Sequence, residues 1–405
     1  VELKISIIVV LYNMKREAPR TLYTLSKAYQ KGVKELQYEV IVVDCGTEIS
    51  VNEIELDHYG KEFRLLRFKP SSSPAAAINQ AFKESKGQYV TICIDGARML
   101  SPGILYETVM ILAENPNAVI ATFAFHLGYE IQNKAIEKGY NQETEDLLLS
   151  QVDWKADGYQ LFATASPDGS SADGWFNSLS ESNCITISNQ LFHKAGGFDE
   201  RFTSPGGGLI NLDFFKRIAQ EHPEIHILTG EGTFHQIHGG VSTNIPMNAH
   251  PWEGFHQEYI KIKGYEFQRP EYKSILWGIP QKTANWFLQH SYNVIFDDLQ
   301  NQKKQVNTLH NLMENMYQDF EKYKESAEND RNLLINENKI MMNEIKQMRN
   351  VNAQLHKEHA ATLAEVNAVL QSRSWKYTRP LRYLSEIVRR IVTKHKTYPE
   401  IGQHL

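Results

Sequence analysis

Three runs in the first hundred residues, Ile5 to Leu11, Tyr38 to Val43 and Tyr89 to Ile94, are almost unbroken in Val and Ile. A strand with one wet face alternates apolar and polar residues. A continuous apolar run instead marks a strand covered on both faces, as in a parallel sheet between two layers of helices. Helical patterns fall between the runs, at Arg20 to Tyr29 and Pro74 to Ser85, and weaker strands are expected at Phe63 to Phe68 and Ala118 to Phe125. This order of strand, helix and strand predicts an α/β domain. Residues 126–180 have no clear period and read as loops and short strands, and apolar periodicity returns at Cys184 to Ile187 and Leu212 to Ala219.

Near residue 300 the pattern changes. Gly and Pro disappear until Pro380, and positions 306, 313, 320, 327, 334, 341, 348, 355, 362 and 369 read Val, Met, Phe, Ala, Leu, Met, Met, Leu, Thr, Val. A seven-residue apolar repeat held this long predicts a long helix with a coiled-coil seam and a reach of about 100 Å at roughly 1.5 Å per residue. The companion seam three residues later is poor, because it holds Asp330, Glu337, Glu344, Glu358 and Glu365. Beyond it, Ser372 to Arg382 is basic, and Leu381, Leu384, Val388 and Ile391 share one helical side with Arg382, Arg389, Arg390 and Lys394 nearby. Such a segment suits an anionic membrane surface or a partner, or forms a solvated terminus.

Charge fits this division. The whole chain carries a formal −5, yet residues 371–396 hold eight Lys or Arg against one Glu. The acidic remainder argues against nucleic acid as a partner. Three widely spaced cysteines, Cys45, Cys93 and Cys184, cannot form a disulfide framework or a CxxC knuckle, so a reducing, cytoplasmic setting is expected. No apolar run reaches the roughly 18 residues of a membrane span, and no signal-peptide cleavage pattern is apparent.

The first strand lacks the GxGxxG of a dinucleotide fold, Gly206-Gly207-Gly208 is not a phosphate-cradling P-loop, and no GxSxG elbow occurs. Two strands do end in aspartate, at Asp44 and Asp95. Ligands of open α/β sheets gather at the carboxyl ends of strands, where an acceptor-only side chain can read a base edge or a ribose hydroxyl. A strand-end Asp can equally cap a turn.

These segments resemble the family 2 glycosyltransferases of the GT-A fold. The resemblance rests on Ile5 to Asn13, Tyr38 to Gly46, Pro74 to Ala81, Lys86 to Val90 and Ala195 to Phe202, and covers residues 3–245. It implies a mixed, mainly parallel sheet flanked by helices, and transfer of a sugar from a nucleotide-sugar donor to an acceptor hydroxyl with inversion. It implies donor contacts from Tyr12, Asp44, Asn79, Asp95, Arg98 and Gly207, and a divalent cation, Mn²⁺ or Mg²⁺, held by Asp95 and His235. The family's second carboxylate is replaced by Ala97, which weakens that cation site; Arg98 can supply positive charge instead. His238 lies three residues from His235, and on a continuing strand the two would face opposite sides.

For the base that deprotonates the acceptor, the family pattern places Asn211 where a carboxylate is expected. Asp213 is the nearest acid and the first candidate, although it also suits the role of a helix cap; Glu181 is the second. The resemblance extends to bacterial enzymes of cell-surface polysaccharide synthesis. It implies a glycan or lipid-linked acceptor and a location on the inner face of the cell membrane through the basic tail; the heptads suggest self-association, a partner or a spacer. The rival is an assembly protein that binds nucleotide-sugars without turnover. The expected organisation is a transferase domain at 1–250, a helical or irregular extension at 251–298, a coiled coil at 299–370 and a basic tail at 371–405.

Overall fold

Each Val/Ile run forms a strand within a residue or two of its expected limits in the computed structural model, which describes residues 4–326 and 331–371. The strands are β1 (Lys4–Leu11), β2 (Gln37–Asp44), β3 (Phe63–Arg67), β4 (Tyr89–Cys93), β5 (Arg98–Leu100), β6 (Val119–Leu127), β7 (Ala165–Pro167), β8 (Cys184–Ser188), β9 (Glu224–His235) and β10 (Lys273–Trp277). They join in one sheet of order β10-β9-β6-β8-β4-β1-β2-β3, with β5 on β9 and β7 on β6. β1 runs parallel to β2 and β4, and β6 parallel to β9, whereas β8 is antiparallel to both β4 and β6. Two antiparallel steps restore direction, so β4, β6 and β9 all end at the same edge.

The helices are α1 (Ala18–Leu25), α2 (Glu53–Leu56), α3 (Ala75–Lys83), α4 (Ile104–Glu114), α5 (Gln132–Ala135), α6 (Gln142–Ser150), α7 (Asn189–Lys194), α8 (Ile210–Glu221), α9 (Trp252–Lys263), α10 (Asn285–Ser326) and α11 (Arg331–Gln371). Alternate β1 residues feed two cores. Ile5, Ile7, Val9 and Leu11 join Leu22 of α1 and Ile104 and Ile111 of α4, whereas Ile8 and Val10 join Ile78 of α3 and Phe214 and Ile218 of α8. This two-sided burial is the physical cause of the unbroken apolar runs.

The 126–180 stretch holds more helix than its sequence suggests, because α6 lies within it. Its buried acid, Glu145, is held by Arg16 and accepts the Ile237 N–H at 2.7 Å, so a core position of this helix looks polar in the sequence. Cys93 and Cys184 are distant in sequence but adjacent across β4 and β8, with free, buried thiols 3.9 Å apart.

The chain divides into two compact units, Val1–Gln289 and His290–Leu405. In the second, Arg349 of α11 lies 3.8 Å from Glu314 of α10. Along one continuous helix these residues would be about 50 Å apart, so the helices lie side by side instead of forming a single long rod. Within residues 338–365, the residues of α11 at least partly shielded from solvent are Asn338, Met341, Ile345, Asn352, Leu355, Glu358, His359 and Thr362. The stripe that accompanies the apolar seam therefore lies mostly four residues after it, with Glu358 three after, and is largely polar. The basic segment from 372 onward lies outside the described residues. Among those described, no helix is long and apolar enough to cross a membrane.

Candidate functional site

The sheet edge where β4, β6 and β9 end collects the chemistry. Asp95 follows β4 by two residues, and the short β5 pairs with the end of β9 so that Arg98 lies opposite His235. β6 places His126 opposite His235 from the other side, and β7 places Ser166 opposite His126, with Asp168 just beyond. β8 begins with Cys184 opposite Cys93, so Glu181 enters at the same edge.

β9 stops at His235, and the chain turns as the Gln236 N–H donates to the Ala97 carbonyl at 2.8 Å. The two histidines therefore do not face opposite sides, as a continuing strand would require. His235 Nε2 lies 3.2 Å from His238 Nε2 and 3.1 Å from Asp95 Oδ2. The ligand atoms of Asp95, His235 and His238 all fall within 4.8 Å of one another. Ligands bound at about 2.1 Å and separated by roughly 90–110° are about 3.0–3.4 Å apart, so one carboxylate and two imidazoles fit a single divalent ion. Ala97 is buried and its N–H donates to Asp95 Oδ1 at 2.9 Å, so this position orients Asp95 and His238 is the third potential ligand.

Burial pushes His235 down to about 4, against the pull of Asp95 in the other direction. The ring is neutral at neutral pH, the form that ligates metals. Burial also acts to raise the Asp95 carboxyl, but His235, His238 and Arg98 outweigh it and hold the group well below the usual carboxylate range.

Arg98 is only 5% exposed and bridges two acids, with Nε 3.6 Å from Asp95 Oδ2 and Nη2 3.3 Å from Asp168 Oδ2. Its Nε and Nη1 have no hydrogen-bond partner among the described residues. Beside them, Glu181 Oε2 accepts from Asn211 Nδ2 at 2.7 Å. Burial and the nearby Asp168 push Glu181 up to about 6, with Asn211 and Arg98 acting in the opposite direction.

The site thus has a carboxylate beyond a strand end, downstream histidines, and an acid beside the first turn of α8. The family model described as Glycosyltransferase like family 2 matches residues 6–267, well over half of the chain. The chain belongs to this family. Residues 6–267 are its glycosyltransferase-like family 2 domain. No curated protein matches. Among solved structures, S. aureus TarS 1-349 in complex with UDP-GlcNAc is similar at 15% identity, over 66% of this chain and 68% of that one, with a TM-score of 0.40. TarS 1-349 in complex with UDP is similar at 18% identity and a TM-score of 0.36, over 53% of this chain and 56% of that one.

The other residues expected to serve this family 2 domain have diverse surroundings. Asp44 accepts from the N–H groups of Gly46 at 3.3 Å and Ser50 at 3.0 Å, so it shapes its own loop. Tyr12 follows β1 and is 41% exposed. The Asn79 amide, expected at the donor, instead bonds the loop after α7 through the N–H and carbonyl of Phe198 and through Glu200. Gly207 has φ +84°, and a Cβ there would come within 2.5 Å of Ile210, so local packing already requires glycine.

Asp213 is held on both sides. Its Oδ2 is held by Arg217 at 2.8 Å and its Oδ1 by Lys263 at 2.8 Å, in a buried ion-pair cluster shared with Asp199. The first-choice base has both oxygens occupied, whereas the second choice, Glu181, lies with Arg98 and Asp168. Asp168 escaped sequence reading because Pro167-Asp168-Gly169 looks like an ordinary turn.

Proposed function

We propose that this chain is an inverting transferase that moves a sugar from a nucleoside-diphosphate-sugar to a hydroxyl of a glycan or lipid-linked acceptor in bacterial cell-surface polysaccharide synthesis. The observation that carries this reading is the convergence of Asp95, His235 and His238 with Arg98 and Glu181 at one sheet edge. A divalent ion held by Asp95, His235 and His238 would offset charge on the departing diphosphate. Arg98, paired with Asp95 and Asp168, adds fixed positive charge beside the same leaving group. Glu181, oriented by Asn211, takes the acceptor proton as the acceptor oxygen bonds to the anomeric carbon. The electrons of the breaking carbon–oxygen bond leave with the diphosphate.

Imidazole nitrogens bind transition-metal ions, Mn²⁺ included, better than they bind Mg²⁺. Nucleoside diphosphate release from a panel of donors is therefore expected to be at least about tenfold faster with Mn²⁺ than with equal Mg²⁺, and to collapse in EDTA. Equal rates in Mn²⁺ and EDTA would overturn the metal reading. Donor binding without release from any donor would instead favour the assembly role, which is consistent with Ala97 and Asn211 standing at two positions where the family carries acids.

The basic, amphipathic composition of residues 372–396 supports attachment to the inner face of the membrane. Deleting residues 372–405 is expected to abolish co-flotation with anionic liposomes; unchanged flotation would sink the idea. Self-association through the heptads is supported by Leu309, Leu312 and Met316 of α10 and Ile340 and Met342 of α11, each more than half exposed. A monomeric mass by light scattering would exclude it.

A further inference from the structure

Two histidines serve one ion only when their lone pairs converge, and a neutral imidazole is set by what its other nitrogen bonds. His235 Nδ1 lies 2.8 Å from Gln132 Oε1. The orientation of that amide is determined, because Gln132 Nε2 donates to the carbonyls of His235 at 2.9 Å and Leu127 at 3.4 Å. The end facing His235 is thus an oxygen, and His235 Nδ1 must carry the hydrogen. That leaves His235 Nε2, 3.1 Å from Asp95 Oδ2 and 3.2 Å from His238 Nε2, as the nitrogen available to ligate an ion.

The same Gln132 oxygen accepts from Asn244 Nδ2 at 2.7 Å. Asn244 Oδ1 in turn collects the N–H groups of His238, Gly239 and Gly240 at 2.8, 3.0 and 3.1 Å. This closes the loop that carries His238 and brings its ring to His235. Gln132 is itself anchored, fully buried, with its N–H donating to His126 Nδ1 at 2.8 Å. The neighbouring Asn133 fastens the far side of the loop through the carbonyls of Ser242 and Ile245.

We infer that Gln132 and Asn244 are the positioning residues of the metal centre: Gln132 selects the His235 tautomer, and Asn244 links that choice to the placement of His238. The inference rests on reading Asp95, His235 and His238 as a metal site. Its test is Co²⁺ titration of the full chain without nucleotide, following the visible absorption of the bound ion and its affinity. Wild type is expected to show a histidine-ligated spectrum. Gln132→Leu and Asn244→Ala each weaken binding by about 10- to 100-fold and change the band shape. Gln132→Glu, whose buried, protonated carboxyl keeps an oxygen on His235 Nδ1 and an O–H for the facing carbonyls, stays within a few-fold of wild type.

If wild type binds no Co²⁺, the metal reading fails and the inference with it. If wild type binds and folded Gln132→Leu and Asn244→Ala bind equally well, the inference fails while the metal reading stands. Gln132→Glu binding as weakly as Gln132→Leu would overturn the tautomer argument. Should Gln132→Leu not fold, Asn244→Ala, on a partly exposed loop, decides.

Discussion

Glu181→Gln is expected to lower kcat by about 10²- to 10⁴-fold with little change in donor KM, the usual range for loss of a general base. Gln matches the size of Glu and keeps an oxygen for the Asn211 amide, so the loss reports proton transfer and not packing. The pH profile supplies an independent check. Glu181 is pushed up to about 6 by burial and Asp168, with Asn211 and Arg98 opposing. Only the carboxylate can accept a proton, so kcat should be level above pH 6 and fall about tenfold per unit below it. This acid limb should be missing from the residual activity of Glu181→Gln. Asp213→Asn provides the contrast. It breaks a buried cluster with Arg217 and Lys263, and stability should fall by up to about 3–5 kcal/mol, read as a lower melting temperature. The folded enzyme should keep its kcat. The reverse outcome, with Asp213→Asn inactive and Glu181→Gln active, would return the base to the residue that the sequence alone favours.

Asp95→Asn is expected to have the second large effect. Asp95 contributes the one carboxylate of the potential metal group, faces Arg98, and accepts the Ala97 N–H. Asn preserves the volume and one acceptor oxygen but removes the charge that attracts the cation. Loss of a preorganised electrostatic element of this kind costs about 10²- to 10³-fold in kcat, and losing the ion as well takes the effect to about 10³-fold or more. Nucleoside diphosphate release and Mn²⁺ affinity should fall together. Wild-type release by Asp95→Asn in excess Mn²⁺ would remove Asp95 from the mechanism.

The strands were readable in sequence because a buried parallel sheet imposes a simple rule on every residue of a run. α6 was not, because its buried Glu145 is polar and is accommodated only by Arg16 and the Ile237 N–H from distant segments. Within the site, Asp95 stood out at a strand end, where ligands of such sheets collect, and His235 through the family resemblance. Whether His238 joins His235 was open in the sequence, because the end of β9, and the turn after it, depend on pairing with β5. Gln132 and Asn244 carry no signal at all. An amide becomes a positioning group only when a ring nitrogen and a loop of backbone N–H groups are brought to it.

By itself the sequence determined the layered α/β architecture, the strand-end location of the chemistry and the change to a helical, then basic, C-terminal region. These follow from periodicity and composition, which are properties of neighbouring residues. The tertiary structure alone decided which acid is free to accept a proton and which side chains share an ion. Asp213 and Glu181 are both carboxylates near α8, but Lys263 and Arg217 occupy one, while Asn211 presents the other beside Arg98 and Asp168. The reactivity of a carboxylate is set by the charges and burial around it, and those are assembled from segments far apart in the chain.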